Sequence, residues 1–326
     1  MSCRIKTQTV PTMYFIGVTT GKSSIMKVFP IWAQELGRQD VHLEGMDLPL
    51  HADAGQYRQA VAQIKGDPLS LGALVTSHKI NLFEAASGMF DSLDRYAQVC
   101  GEVSCISKDG GRLEGHAKDP ITSGLSLNGM LGPNYFGRTG AHVLCLGAGG
   151  STVAIALHFI HRRSGDDRPQ RIVVVNRSSA RLEGLKKVIA SQPAVIEFEY
   201  HCHTDPVRND ALMAKLPPYS LVINATGMGK DLPGSPITNN GTFPEHGIAW
   251  ELNYRGELDF LRQALAQREV RTLTVFDGWE YFLHGWTQVI AQILKVGIKG
   301  EVFQRLSALA AEVCGPAFPP IRRAIG

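Results

Sequence analysis

The chain has 326 residues, 44% hydrophobic and 19% charged, with 33 Lys and Arg against 30 Asp and Glu for a formal net charge of +3. This length and balance suit a soluble globular enzyme of two domains, and the interspersed charges leave no nucleic-acid footprint. No stretch approaches the roughly 18 uncharged residues of a membrane span, and Met1 to Gln8 lack a continuous apolar run, so a cytoplasmic protein without a leader is expected. In chain order, short strands at 13–17 and 72–76 alternate with helical stretches near 26–37, 56–65 and 79–88, so the N-terminal region is α/β in its own right. Gly129 to Asn134 reads as a connector. β-α-β units follow, with strands at 142–146, 171–175, 196–201, 220–223, 247–252 and 271–276, and then helical patterns at 280–294 and near 299–313. The polar stretch Arg162 to Pro169 reads as a surface insertion. There is no internal repeat.

The apolar run His142-Val143-Leu144-Cys145-Leu146 leads directly into Gly147-Ala148-Gly149-Gly150. In that context Gly147 permits a tight turn, and Gly149 lets the backbone approach a pyrophosphate at the N-terminus of a helix starting near Ser151. Thr152 stands where the third glycine of G-x-G-x-x-G belongs, so the motif is a variant, and alone it also describes a turn with no ligand.

The next strand, Arg171 to Val175, emerges as Asn176-Arg177-Ser178-Ser179-Ala180-Arg181. A site selective for NAD places Asp or Glu here for the ribose 2′-hydroxyl, whereas arginines suit a 2′-phosphate. Here there is no acid. On the opening of a helix Arg177 and Arg181 can face one phosphate while Ser178 donates its hydroxyl, which predicts NADP. The six cysteines, at 3, 100, 105, 145, 202 and 314, form no CxxC pair. Neither His201-Cys202-His203 nor Cys100 with Cys105 has a partner cluster at zinc spacing, so free thiols and no metal are expected.

Upstream lie Val75-Thr76-Ser77-His78-Lys79 and Gly115-His116-Ala117-Lys118-Asp119. A lysine and an aspartate ahead of a dinucleotide-binding turn are the parts needed to move a proton while a nicotinamide moves a hydride. With these fragments, Gly17 to Ser23, Gly101-Glu102-Val103-Ser104-Cys105, the glycine turn, Asn176-Arg177-Ser178, Asn224-Ala225-Thr226-Gly227-Met228-Gly229, Tyr254 and Asp277-Gly278, the chain resembles the shikimate/quinate dehydrogenases over nearly its whole length. The resemblance implies an N-terminal α/β substrate domain at 1–122 completed by 276–326, with a doubly wound, parallel-sheet Rossmann domain binding NADP at 123–275. It implies Lys79 and Asp119 as the catalytic pair, and Ser23, Thr76, Ser104, Tyr254 and Gln288 as substrate contacts. For the cofactor it implies Gly147, Ala148, Gly149, Gly150, Ser151, Asn176, Arg177, Ser178, Arg181, Asn224, Ala225, Thr226 and Met228. The substrate is then a small cyclic hydroxy acid, and the protein a monomer or homodimer.

Departures from the family pattern concentrate where substrate is read. Ile25 replaces the second serine of a Ser-x-Ser pair that holds a carboxylate, Ser104 replaces an asparagine, and Gly285 a glutamine for which Gln288, about one turn on, is a substitute. A segment that usually reads Asn-Val-Thr-x-Pro-x-Lys has lost its asparagine and moved its threonine hydroxyl to Thr76. Chemistry is expected to be kept while specificity has moved. Two alternatives stay open: a methylenetetrahydrofolate dehydrogenase-like enzyme, and a catalytically silent ligand sensor of the same fold.

Overall fold

The computed structural model describes residues 5–50, 52–162, 167–230 and 232–315. The chain divides into two compact units, one comprising residues up to Lys118 together with Gly285–Gly315, the other Asp119–His284.

The first unit contains β1 (Thr12–Gly17), α1 (Ile25–Glu35), β2 (His42–Asp47), α2 (Ala54–Gly66), β3 (Ser70–Val75), α3 (Lys79–Ala86), β4 (Ser92–Leu93), α4 (Arg95–Cys100), β5 (Cys105–Asp109) and β6 (Arg112–His116). Its six-stranded sheet runs β2-β1-β3-β5-β6-β4. β1, buried along its whole length, pairs in parallel with β2 and β3, and β5 pairs antiparallel with β3 and β6. The β5–β6 hairpin turns at Gly110 and Gly111, whose φ values of +54° and +84° a two-residue hairpin loop requires. One core, with Tyr14, Ile16, Tyr57, Val61, Val75 and Ile106, fills the space between sheet and helices. β2, β4, α4 and the hairpin were not among the elements expected from the sequence.

The second unit opens with α5 (Asp119–Leu131), α6 (Tyr135–Thr139), β7 (Val143–Leu146), α7 (Gly150–Ile160), β8 (Arg171–Asn176), α8 (Ser179–Ala190) and β9 (Glu197–Cys202). It continues through α9 (Pro206–Met213), β10 (Leu221–Asn224), β11 (Ile248–Glu251), α10 (Asp259–Arg271) and β12 (Thr274–Phe276). Its six strands are all parallel in the order β12-β11-β10-β7-β8-β9, the doubly wound arrangement whose order reverses between β7 and β10. Alternate residues of the same strands feed two cores: Val143, Cys145, Ile172 and Val174 on one face, Leu144, Leu146, Val173 and Val175 on the other.

α11 (Trp279–Leu294) carries the chain across the division into the first unit, and α12 (Glu301–Cys314) follows. There the fully buried Trp32 of α1 donates its indole N–H to the carbonyl of Leu306 in α12 at 2.8 Å. The expected connector at Gly129 to Asn134 is corrected: Gly129, Met130 and Leu131 belong to α5, because Met130 and Leu131 are buried in core and the helix stops only at Gly132, in left-handed geometry before Pro133. In the expected surface insertion, residues 163–166 lie outside the described residues; at its edge Arg162 pairs with Asp167 at 2.7 Å. Among the described residues no helix is long and apolar enough to cross a membrane, and Cys100, Cys105, Cys145, Cys202 and Cys314 are free thiols.

Candidate functional site

The second unit's candidate site lies at the C-terminal ends of β7, β8, β10 and β11. Gly147 leaves β7 with φ +115°, and a Cβ there would stand 2.5 Å from the carbonyl oxygen of Ala225, so only glycine fits. Gly149 is different. Its φ of −87° suits any residue, and a Cβ there would meet nothing within 4 Å. The bare position leaves the first amides of α7, which no side chain caps, open to an approaching anion, as a diphosphate at a helix N-terminus demands. Gly150 and Ser151 begin that helix, and Ala148 is buried in the turn. Thr152, read as a departure at the third glycine, is buried and donates its hydroxyl to the Gly147 carbonyl at 2.8 Å, so it ties the turn shut.

At the end of β8, Asn176 leads to Ser178, whose hydroxyl oxygen caps α8 by accepting from the Arg181 N–H at 3.3 Å. Arg181 is therefore in the first turn of α8. Arg177 precedes the cap, which corrects the expectation that both arginines share a helix face. Both side chains are exposed, and among the described residues neither has a carboxylate partner. The end of β8 thus offers two uncommitted guanidinium groups and no acid.

β10 ends at the fully buried Asn224, whose side chain is spent on the protein itself. Its oxygen accepts from the Thr226 N–H (3.1 Å) and hydroxyl (2.7 Å), and its amide donates to Glu251 Oε2 at 2.6 Å and, at 3.4 Å, to the carbonyl of Met228. Asn253 donates to Glu251 Oε1 at 2.6 Å and also to Met228 at 3.3 Å. The loop from Ala225 to Met228 is thereby moulded by two asparagines clamped on one carboxylate. Nearby, Tyr254 packs on Phe282 and Trp279, with ring centroids 4.5 and 5.8 Å away.

Glu251 and Asn253 were missed in the sequence, where nothing marks them beyond their place after an apolar strand. Burial pushes the Glu251 carboxyl up to about 7 from its ordinary 4.5, against the pull of its N–H donors. A folded-state value above the unfolded one stabilises fully below about pH 4.5 and loses that contribution as pH rises through about 7, about 3 kcal/mol at 1.36 kcal/mol per unit. Relative to Glu251→Gln, the intact protein should therefore lose urea resistance between about pH 4.5 and 7; parallel pH profiles of the two would overturn this.

The first unit carries the other candidates. Ser23 follows a helical turn at Thr20–Lys22 that Asp47 holds through the Thr20 N–H (2.8 Å) and hydroxyl (2.6 Å). Ser23 and Ser24 are half-buried, whereas Ile25 is fully buried and points into core. Thr76 leaves β3 with its N–H bonded to the Ile16 carbonyl at 3.0 Å. His78 is buried between the Tyr57 hydroxyl (2.9 Å) and the Leu48 carbonyl (3.1 Å), a structural role.

Lys79, half-buried, opens α3, and its carbonyl accepts from the Val103 N–H at 3.1 Å. Ser104 is buried, and its hydroxyl oxygen accepts from the Lys118 N–H at 2.7 Å. Lys118 Nζ donates to Gln292 Oε1 on α11 at 2.7 Å. Gln288, a turn earlier on α11, is half-buried, and a Cβ at Gly285 would meet nothing within 4 Å. In the second unit Asp119 opens α5, 8% exposed, with Pro120 in the first turn where its missing N–H costs nothing. Among the described residues no group of three His, Cys, Asp or Glu is placed to hold a metal.

No family model matches the chain. It is 32% identical over 212 residues to the shikimate dehydrogenase (NADP+) of Symbiobacterium thermophilum, a match spanning 64% of this chain and 66%, just under two thirds, of that protein. It is 30% identical over 238 residues to the enzyme of the same name from Salinibacter ruber, covering 70% of this chain and 75% of the relative. Among solved structures, a shikimate dehydrogenase in complex with NADP+ superimposes with a TM-score of 0.70 at 16% identity, over 94% of this chain and 97% of the other.

Proposed function

The chain belongs to the shikimate dehydrogenase family, and from that premise we propose that it is an NADP-dependent alcohol dehydrogenase acting on shikimate or a related cyclic hydroxy acid, in the cytoplasm. The observation that carries the reading is the pairing of the bare helix N-terminus at Gly149 with two unpaired arginines at the end of β8. The first takes a diphosphate; the second takes a 2′-phosphate. NADP, when bound, accepts or returns the hydride. Gly147 and Thr152 hold the turn in shape, and Asn224 and Thr226 fix the loop that ends at Met228.

Lys79 takes the hydroxyl proton at Nζ as the hydride leaves carbon and returns it in the reverse direction, with Asp119 as its partner at the substrate hydroxyl. Ser23 and Thr76 contribute hydroxyls to the substrate. The domain assignment follows: residues 1–122 with 276–326 for substrate, 123–275 for NADP.

Cofactor choice tests the reading. Titration should give NADP a clear preference over NAD, and replacing Arg177 and Arg181 together by Ala should weaken NADP by roughly 10-fold or more while scarcely moving NAD, since charge-assisted bonds contribute about 1.5–3 kcal/mol each. Equal affinity of the intact protein for both cofactors would sink it. Turnover with folate derivatives, or none with any hydroxy acid, would instead favour the alternatives of a methylenetetrahydrofolate dehydrogenase-like enzyme or a silent sensor.

A further inference from the structure

The ammonium of Lys118 meets only the neutral side-chain oxygen of Gln292, at 2.7 Å, and among the described residues no carboxylate pairs with it. Lys118 is half-buried. A half-buried ammonium answered by one neutral oxygen still attracts an anion. One of its three N–H donors is used and two remain. Its position is fixed from behind: the Lys118 N–H is bonded to the Ser104 hydroxyl at 2.7 Å, while the neighbouring Val103 N–H holds the Lys79 carbonyl at 3.1 Å. Two lysines are thus pinned to consecutive residues of one segment. Ser104, spent on this clamp, is a support for Lys118 rather than a reader of substrate.

We propose that Lys118, oriented by Gln292, is the residue that reads the carboxylate of the substrate, in place of the hydroxyl that Ile25 does not supply. The substrate class is an anionic hydroxy acid whose carboxylate is held from α11 and the β6–α5 junction, where Gln292 and Lys118 stand, and not from the start of α1. Lys118 supplies charge and two donors; Gln292 is a positioning residue. This rests on the dehydrogenase reading above, but it concerns binding and is testable without turnover.

The probes are shikimate, quinate and 3-hydroxybenzoate, each beside its methyl ester, titrated calorimetrically into the NADP-loaded protein. The intact protein should bind at least one acid about 10–100-fold more tightly than its ester, the ratio a charge-assisted bond confers. Lys118→Met should erase that preference without altering ester binding, the NADP titration or the thermal melt. Lys118→Arg should keep it, and Gln292→Leu should reduce it roughly 3–10-fold. With whichever acid is turned over, Lys118→Met should raise KM and leave kcat nearly unchanged. Binding of none of the acids, equal binding of acid and ester by the intact protein, or an undiminished preference in Lys118→Met overturns the proposal. Loss of NADP binding or of all hydride transfer, with the acid preference intact, overturns the function proposed above and leaves Lys118 as an anion reader.

Discussion

Lys79→Met should bind NADP as the intact chain does and lose roughly 10²–10⁴ in turnover, the typical worth of a positioned acid or base. The backbone there is tied down independently of the side chain: the Lys79 N–H donates to the Thr76 carbonyl at 3.3 Å and its carbonyl accepts from Val103 at 3.1 Å. Methionine keeps the length and apolar stem of lysine, so what disappears is the proton-carrying nitrogen. Asp119→Asn should also lower turnover, because the amide keeps the shape of the carboxylate while removing its charge and one acceptor. Asp119 is only 8% exposed, at the start of α5, so the exchange alters a group largely withdrawn from water. Steady-state rates with the substrate that the intact enzyme prefers decide the matter. If Lys79→Met retained near-full activity the mechanism would be wrong, whatever the fold.

How much of this was legible in the sequence depended on how local each signal is. β7, β8 and β10 are buried on both faces of a parallel sheet, so they appear as unbroken apolar runs, and the turn at Gly147 follows such a run directly. β2 is a polar edge strand, His42-Leu-Glu-Gly-Met-Asp47, held by its pairing with β1 and by little in its own composition. The β5–β6 hairpin did carry a signal, Asp109-Gly110-Gly111, the two-glycine loop that turns it. α5 was hidden by its small and helix-breaking residues. They serve close packing: a side chain at Gly124 would run into the ring of His158 on α7. The residues proposed to hold the cofactor form contiguous stretches of sequence. The Glu251 clamp and the Lys118–Gln292 pair join residues far apart in the chain through buried or half-buried polar contacts, which no periodicity announces. Lys118 lies inside a motif that the sequence marks, whereas its partner Gln292 on α11 does not.

Shikimate should be a poor substrate, with a specificity constant roughly 10²–10⁵ below that of an efficient enzyme, and the reasons lie at Ile25, Ser104 and Gly285. Ile25 is fully buried, so the position where the family presents a second serine offers no hydrogen bond and its side chain is turned into core. Ser104, where the family has asparagine, is buried and already accepts the Lys118 N–H at 2.7 Å. Gly285, where it has glutamine, leaves open space, with nothing within 4 Å of a would-be Cβ. Each loss removes a polar partner, and a charge-assisted bond contributes about 1.5–3 kcal/mol, or about one to two decades at 1.36 kcal/mol per decade. Gln288 and Lys118 are polar groups that can restore part of the loss, but from α11 and the β6–α5 junction, which favours an acid whose carboxylate and hydroxyl are spaced differently from those of shikimate. Kinetics with shikimate and NADP settle it. A specificity constant in the ordinary range of about 10⁴–10⁸ M⁻¹s⁻¹ would refute the argument and make the chain an orthodox shikimate dehydrogenase; a value well below that range, beside efficient turnover of another hydroxy acid, would bear out the change in specificity.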